Sequence, residues 1–172
     1  RGDRELQASG IIRGLPYREA SGNVRDIVAY GVAASGRFGM RDDKDELLFQ
    51  GVWGSGISRY VAGFTGRGLD LTVDSATGTA YATLLRGAYV SYGRLVRSGL
   101  KAYATGGYSR IENRAFEPGS AFKRGAYVAL SAFRDFPWGA RAGAEATWGS
   151  RVNKDNSHDT AWRLQGIVYY DF

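Results

Sequence analysis

Few side chains in this sequence are of the kinds that form catalytic or metal sites. The chain has no Cys and a single His, His158, with Asp155 and Asp159 close to it in sequence. The lack of Cys excludes disulfides, thiolate metal sites and Cys nucleophiles, and one His disfavours a His-rich metal site. We therefore predict no enzyme activity, no metal and no cofactor, and we interpret Asp155, His158 and Asp159 as residues of a solvated loop.

Apart from catalysis and metal binding, the side chains can act through their charge. Lys and Arg number 23 against 17 Asp and Glu, which gives a formal net charge of +6. The basic residues are scattered singly and form no dense basic run, so we predict no nucleic-acid partner. A dispersed positive charge of this kind attracts small anions.

Composition indicates many short strands. Gly is abundant at 25 residues, Pro is scarce at 3, and aromatic side chains make up 13% of the chain. Such a composition disfavours helices and suits strands joined by turns. No uncharged stretch approaches the roughly 18 to 20 apolar residues that a membrane helix needs. Apolar/polar alternation predicts about eight strands, at Glu5–Tyr17, Val24–Phe38, Glu46–Gly54, Thr79–Gly93, Leu100–Ile111, Phe122–Arg134, Trp138–Ser150 and Thr160–Phe172.

The predicted strand Trp138–Ser150 carries the clearest membrane signal. One face holds Trp138, Trp148 and only Ala between them, whereas the other includes Arg141 and Glu145. A stripe of Ala supplies little apolar area to a soluble core, but in a bilayer it need only avoid being polar. The two Trp residues are placed to lie at the two membrane interfaces.

The last predicted strand repeats this pattern. Its apolar face ends on Tyr170 and Phe172, and this ending resembles the C-terminal signature by which the barrel-assembly machinery recognises outer-membrane proteins. The two strands together predict an all-β, transmembrane antiparallel β-barrel, integral to the bacterial outer membrane and in contact with the lipid bilayer. Its predicted membrane girdle consists of Trp53, Trp138, Trp148, Trp162, Tyr170 and Phe172.

The polar faces of the predicted strands are mostly basic. Alternation assigns to the lumen Arg13, Arg37, Gln50, Lys101, Arg141, Glu145, Arg163 and Gln165. Because cationic rings lower the barrier to anions, we predict passive diffusion of small anionic solutes. Residues 79–93 and 122–134 have apolar side chains on both faces, and their alternation does not decide which face points inward.

Short and long connections alternate along the chain, as in barrels with short periplasmic turns and longer outer loops, with one departure: Arg18–Asn23 should be an outer loop and is short. The longest predicted connection, Ser55–Gly78, lies on the outer side. Folded inward it would constrict the pore, and an exposed surface loop is an equal alternative. Its charged residues are Arg59, Arg67, Asp70 and Asp74.

Several motifs resemble the DcaP-like family of trimeric outer-membrane porins. They occur in the same order as in the family, at residues 6–18 (LQASGIIRGLPYR), 48–60 (LFQGVWGSGISRY), 89–95 (YVSYGRL), 142–151 (AGAEATWGSR) and 163–172 (RLQGIVYYDF). The resemblance implies a homotrimeric porin of about 16 strands for small, often anionic, organic solutes. Since members are roughly twice as long or more, these residues would be the C-terminal half of such a barrel.

Two other architectures stay open at this point. About eight strands can close into a small barrel filled by side chains, which would be structural or adhesive and would conduct poorly. A soluble ligand-binding barrel of lipocalin type would need a large apolar interior, whereas the polar faces here carry Arg, Lys, Gln and Glu.

Overall fold

The computed structural model describes residues 3–19, 21–42 and 44–170. In this part of the chain the regular structure is β, apart from two 3-10 helices at Ser58–Tyr60 and Ala62–Phe64. The strands are β1 (Arg4–Arg18), β2 (Val24–Met40), β3 (Asp45–Ser55), β4 (Leu71–Val73), β5 (Ala80–Ala82), β6 (Leu84–Arg97), β7 (Leu100–Ile111), β8 (Phe122–Asp135), β9 (Ala140–Asn153) and β10 (His158–Tyr170). No helix among the described residues is long and apolar enough to cross a membrane.

Eight long strands form one antiparallel sheet in the order β1-β2-β3-β6-β7-β8-β9-β10, while β4 and β5 form a separate hairpin. Each long strand therefore pairs with the next long strand in sequence, through short connections everywhere except between β3 and β6. Within residues 3–170 no ladder joins β1 to β10, and β10 is exposed along its whole length. The prediction of an all-β antiparallel fold is confirmed, whereas the closure of a barrel is not observed.

The predicted strand Thr79–Gly93 is wrong as a single element. Its first part, β5, belongs to the hairpin with β4, and β6 runs on to Arg97. The break falls at Thr83, whose backbone N–H donates to Asp70 O and whose carbonyl accepts from Gly56 N. These loop bonds occupy the groups that a continuous strand would have paired with its neighbour.

Other strand ends differ from the prediction by up to about three residues. Strand β9 begins at Ala140 rather than Trp138, because residues 136–139 form a turn closed by a bond from Phe136 N to Ala140 O. The connection between β9 and β10 shortens to 154–157, and that between β6 and β7 to 98–99. His158 and Asp159 accordingly belong to β10 and not to a loop as we had interpreted them.

The pairing register determines which side chains share a face, because directly opposite residues in an antiparallel pair point the same way. One face is apolar through the middle of the sheet, and its charged side chains, which include Arg86, Arg110, Arg124 and Asp45, lie towards the strand ends. Its large side chains are strongly exposed, for example Ile12 at 82%, Val168 at 73% and Trp162 at 80%. We call this the apolar face; its members include Leu6, Ile12, Val28, Val32, Phe49, Val90, Val128, Leu130, Ala142, Ala144, Ala146, Leu164 and Val168.

The opposite side, here called the polar face, carries most of the hydroxyl, amide and charged side chains of the strands. The register also determines which side chains of residues 79–93 and 122–134 lie on the polar face, a question that alternation left open. In β6, Ser91 lies on the polar face and Val90 on the apolar one; in β8, Ser131 is polar-facing and Leu130 is not. Ser91 and Thr105 are hydrogen-bonded across β6 and β7 at 2.7 Å.

Tight packing is found where the connection between β3 and β6 lies on the polar face. Phe64 of this connection is buried against Leu85 and Ile111, and its ring meets Phe122 edge-on at 5.1 Å. Ile57 is 2% exposed and packs over the glycines of β2 and β3.

This packing predicts opposite effects at two glycines of β3. A Cβ on Gly54 would meet Gly31 Cα at 2.5 Å and Ile57 Cδ1 at 2.9 Å, whereas a Cβ on Gly51 has nothing within 4 Å. We expect Gly54→Val to destabilise the protein by about 1–3 kcal/mol through overpacking. Gly51→Val should be neutral or mildly stabilising, since Val favours strands. Urea unfolding of the refolded protein in detergent, followed by Trp fluorescence, measures both; equal stability of the two variants would contradict the packing.

Candidate functional site: the polar face and the loop that covers it

The connection between β3 and β6 folds back onto the polar face. It spans 56–83 rather than Ser55–Gly78, because Ser55 ends β3 and the β4–β5 hairpin is part of the connection. We call this segment the inner loop. Its buried contacts with Leu85, Ile111 and Phe122 place it against the sheet, the arrangement that would narrow a pore. That it constricts a pore stays a prediction.

Asp70 ties the inner loop to the sheet. One carboxylate oxygen accepts from Arg13 Nη2 of β1 at 2.6 Å, and the other accepts from Ser58 Oγ at 2.7 Å and Arg59 N at 3.2 Å. The Arg13 guanidinium lies 5.4 Å from the centre of the Tyr60 ring. Only 14% of the Arg13 side chain and 17% of the Asp70 side chain are exposed, so this pair is largely shielded from water.

The surroundings of Asp70 favour its charged form. Burial alone would raise the pKa of Asp70, but the bonds from Ser58, the Arg59 amide and Arg13 together lower it below its ordinary value of 3.8. The carboxylate is therefore ionised at neutral pH and pairs with a guanidinium that is also charged. Removing Asp70 would leave the largely buried Arg13 without its counter-charge.

A second carboxylate, Glu46, lies near the turn between β2 and β3. Its Oε2 accepts from Arg37 Nε at 2.8 Å, and its Oε1 accepts from Lys101 Nζ at 3.1 Å and Tyr103 Oη at 2.8 Å. The Glu46 side chain is 8% exposed. Four polar side chains thus join β2, β3 and β7 across the polar face, with glycine at position 93 of β6 leaving room for the Tyr103 ring.

Glu145 is the centre of a third, more open group. Its Oε1 accepts from Thr147 Oγ1 at 3.0 Å and from Gln165 Nε2 at 3.1 Å, with Arg163 Nη2 at 3.5 Å. The Arg163 side chain is 64% exposed. Because these groups face solvent, their mutual attraction is weak and their charges are available to solutes.

The structure places all eight predicted pore-lining residues on the polar face. Arg13 joins the Asp70 group, Arg37 and Lys101 the Glu46 group, and Arg163 and Gln165 the Glu145 group; Arg141 pairs with Asp135, and Gln50 lies midway along β3. Their role as a pore lining stays a prediction.

Sequence reasoning missed the partners of these residues. Glu46 lies four residues before Gln50 and Tyr103 two after Lys101, so extended alternation would have assigned both to the polar face. Ser58 and Tyr60 carry no such signal, because they belong to an irregular loop that is positioned by tertiary packing.

The predicted loop charges differ in what they contact. Arg59 Nε lies 3.4 Å from Asp70 Oδ2, whereas Asp74 closes its own turn by accepting from Ala76 N at 2.9 Å. Arg67 is exposed and makes no ion pair within the described part of the chain.

The described members of the predicted girdle lie on or beside the apolar face. Trp148 and Trp162 are directly opposite each other on β9 and β10, and Trp53 lies 5.7 Å from the Tyr30 ring. Trp138 is in the turn before β9, where its ring lies 6.1 Å from Tyr170. Phe172 lies outside the described residues.

The residues considered for catalysis are separated by the strand geometry. His158 and Asp159 are consecutive in β10 and so point to opposite faces. Asp155 accepts from Ser157 N at 2.9 Å and Ser157 Oγ at 2.6 Å, which closes the turn before β10. Among residues 3–170, apart from the undescribed positions 20 and 43, no group of three or more His, Asp or Glu side chains could hold a metal ion.

A cavity of about 920 Å³ lies between the inner loop and the polar face. Tyr60, Phe64 and Arg67 of the loop line it from one side, and Tyr89, Tyr127 and Arg151 of the sheet from the other.

Comparison with known proteins gives one structural relationship. No protein-family model and no curated protein sequence matches the chain. Among solved structures it is similar to the outer membrane channel DcaP of Acinetobacter baumannii, with a TM-score of 0.75 and 15% sequence identity over 95% of this chain and 46% of that channel. The fold of the chain is similar to that of about half of this structure. The chain spans about half the length of the channel that it matches, and the predicted resemblance to DcaP-like porins is confirmed at the level of the fold.

The Asp70 contacts predict that Asp70→Asn releases the inner loop. The variant removes the charge that neutralises the largely buried Arg13, and we expect the packing of the loop to weaken by about 1–3 kcal/mol. Hydrogen exchange of residues 56–83 should rise several-fold. Asp74→Asn is the matched control, because Asp74 bonds only a neighbouring amide. Equal protection in both variants would contradict the anchoring role of Asp70.

The same anchor should depend on pH. Because the pKa of Asp70 is lowered in the folded chain, its contribution is complete above the ordinary value of 3.8 and is lost as the pH falls through the lowered pKa. The protection factors of residues 56–83, which correct the exchange rates for the intrinsic rate at each pH, should therefore fall at acidic pH in the unmodified protein, and this fall should be absent in Asp70→Asn.

Proposed function

We propose that the chain forms half of the wall of an outer-membrane porin through which small solutes, preferentially anions, diffuse passively. The observation that carries this proposal is the division of one continuous sheet into an exposed apolar face and a charged polar face. Large exposed apolar side chains need an apolar environment, and a bilayer supplies it on one side of the sheet. The polar face then lies towards water.

Preference for anions is supported by the balance of charge on the polar face. Glu46 lies between Arg37 and Lys101, and Asp70 between Arg13 and Arg59. Each of these carboxylates therefore has two cationic neighbours, and positive charge remains after pairing. A permeating anion gains from this excess of positive charge.

The inner loop supports a constriction as part of the same proposal. It lies on the polar face and is held there by Asp70 and by the Phe64 packing. Arg59 and Arg67 extend from it without being buried. In a complete barrel this segment would reduce the free cross-section and present positive charge where the passage is narrowest.

The partners in this proposal are the lipid bilayer on the apolar face and small anionic solutes on the polar face. A homotrimer, and insertion by the barrel-assembly machinery through the C-terminal strand, follow from the sequence resemblance and belong to the same proposal. Catalysis has no part in it. A small closed eight-stranded barrel is less well supported, because it needs a β1–β10 ladder that the described residues do not form.

Charge neutralisation on the polar face tests the proposal. The variant Arg141→Gln/Arg163→Gln removes two cations from the polar face, and we expect the anion-to-cation permeability ratio of the full-length protein in planar bilayers to fall several-fold. The control Arg97→Gln/Arg134→Gln makes the same change in net charge on the other side of the sheet, near the turns. Absence of conductance, a cation preference in the unmodified protein, or equal effects of the two variants would contradict it.

A further inference from the structure

One row of residues across the polar face has small side chains, or none, at its middle positions. The register aligns Val52, Gly87, Ser109, Gly125 and Arg151 side by side on β3, β6, β7, β8 and β9. Gly87 and Ser109 in the middle of this row leave a shallow trough in the sheet, which is bounded by the Phe122 ring where that ring lies against Gly125. The trough is the floor of the 920 Å³ cavity beneath the inner loop.

Aromatic side chains form the walls of this trough. The next row towards the β2–β3 turn carries Tyr89 and Tyr127, with the Tyr127 ring lying over Gly107 between them. On the other side stand Phe64 and Phe122, which pack edge-on at 5.1 Å. Phe64 is 6% exposed and belongs to the buried cluster, so this wall is held in place by the packing of the loop.

The charged side chains that line the cavity are positive. Arg67 and Arg151 line it, and among the residues that the structure describes no Asp or Glu does. Arg151 is oriented by bonds from its Nε to Asn153 Oδ1 at 2.7 Å and from its Nη2 to Ser120 O at 3.1 Å, and it lies 5.7 Å from the Phe122 ring centre. A guanidinium has five N–H donors, so two bonds do not exhaust it.

Building on the proposed channel function, we infer that this cavity is a binding subsite for planar aromatic carboxylates. The ring would lie on the glycine floor, edge-on or offset against the aromatic walls, as aromatic pairs prefer. The carboxylate would be held by Arg67 and Arg151, whose planar forks match its geometry. Cavities of about 300–1,000 Å³ are typical of small-molecule sites, so a single-ring acid fits with room to pass on.

Binding of benzoate to the full-length protein in detergent, measured by isothermal titration calorimetry, tests the subsite. Cyclohexanecarboxylate keeps the charge and size but lacks the aromatic ring, and benzamide keeps the ring but lacks the charge. We expect benzoate to bind at least several-fold more tightly than either. Similar binding of all three compounds would overturn the inference.

Two variants address the floor and the charge separately. A Cβ on Gly87 would have its nearest neighbour at 3.5 Å, so Gly87→Val can fill the trough without forcing the backbone apart. Gly87→Val and Arg67→Gln should each weaken benzoate binding about tenfold, whereas Gly51→Val, on the opposite face, should leave it unchanged. Unaltered binding in Gly87→Val would place benzoate elsewhere and contradict the subsite.

Conductance of the same preparations separates this inference from the channel proposal. Conductance without benzoate binding would overturn the subsite and leave the channel intact. Benzoate binding sensitive to Gly87→Val without any conductance would support the subsite and overturn the channel.

Discussion

The pairing register of the antiparallel sheet determines which side chains lie on each of its two faces, and the other features of this chain depend on that division. Side chains alternate between faces with a period of two residues, so a slip of one residue in a strand would turn all its apolar side chains towards water. Across seven successive pairings the register keeps apolar side chains on one face. The proposed membrane location explains this consistency, because backbone groups inside a bilayer must be paired and lipid-facing side chains must be apolar.

The polar face is organised by carboxylates that are outnumbered by their cationic neighbours. Near one end of the sheet, the hydrogen bonds of Glu46 connect three strands. Near the other end, the hydrogen bonds of Asp70 hold the inner loop on the sheet. Between them the face is lower and less charged, with Gln50, glycines and Ser109 in the middle rows. The structural groups thus stand at the ends, while the space covered by the inner loop is lined by aromatic rings and two arginines.

Local alternation was sufficient to predict most strands. It also predicted both faces of β9 and β10, because apolar and polar side chains alternate along these strands. It did not predict the break at Thr83 or the β4–β5 hairpin, because these depend on backbone bonds between distant parts of the inner loop. Local alternation also could not predict the contacts of Asp70, because Arg13 lies 57 residues away in sequence and no local pattern indicates such a pair. The polar-face positions could be predicted one by one, but identifying their carboxylate partners required the register between strands.

The central claim is that the apolar face meets lipid and the polar face meets water, and Cys accessibility tests it most directly. The chain has no Cys, so single replacements at Ser131 and Thr147 on the polar face, and at Leu130 and Ala146 on the apolar face, can be compared in liposomes with a water-soluble maleimide. We predict rapid labelling at 131 and 147, protection at 130 and 146, and labelling of all four after unfolding. Equal labelling of the four positions in the bilayer, or the reverse pattern, would contradict the account.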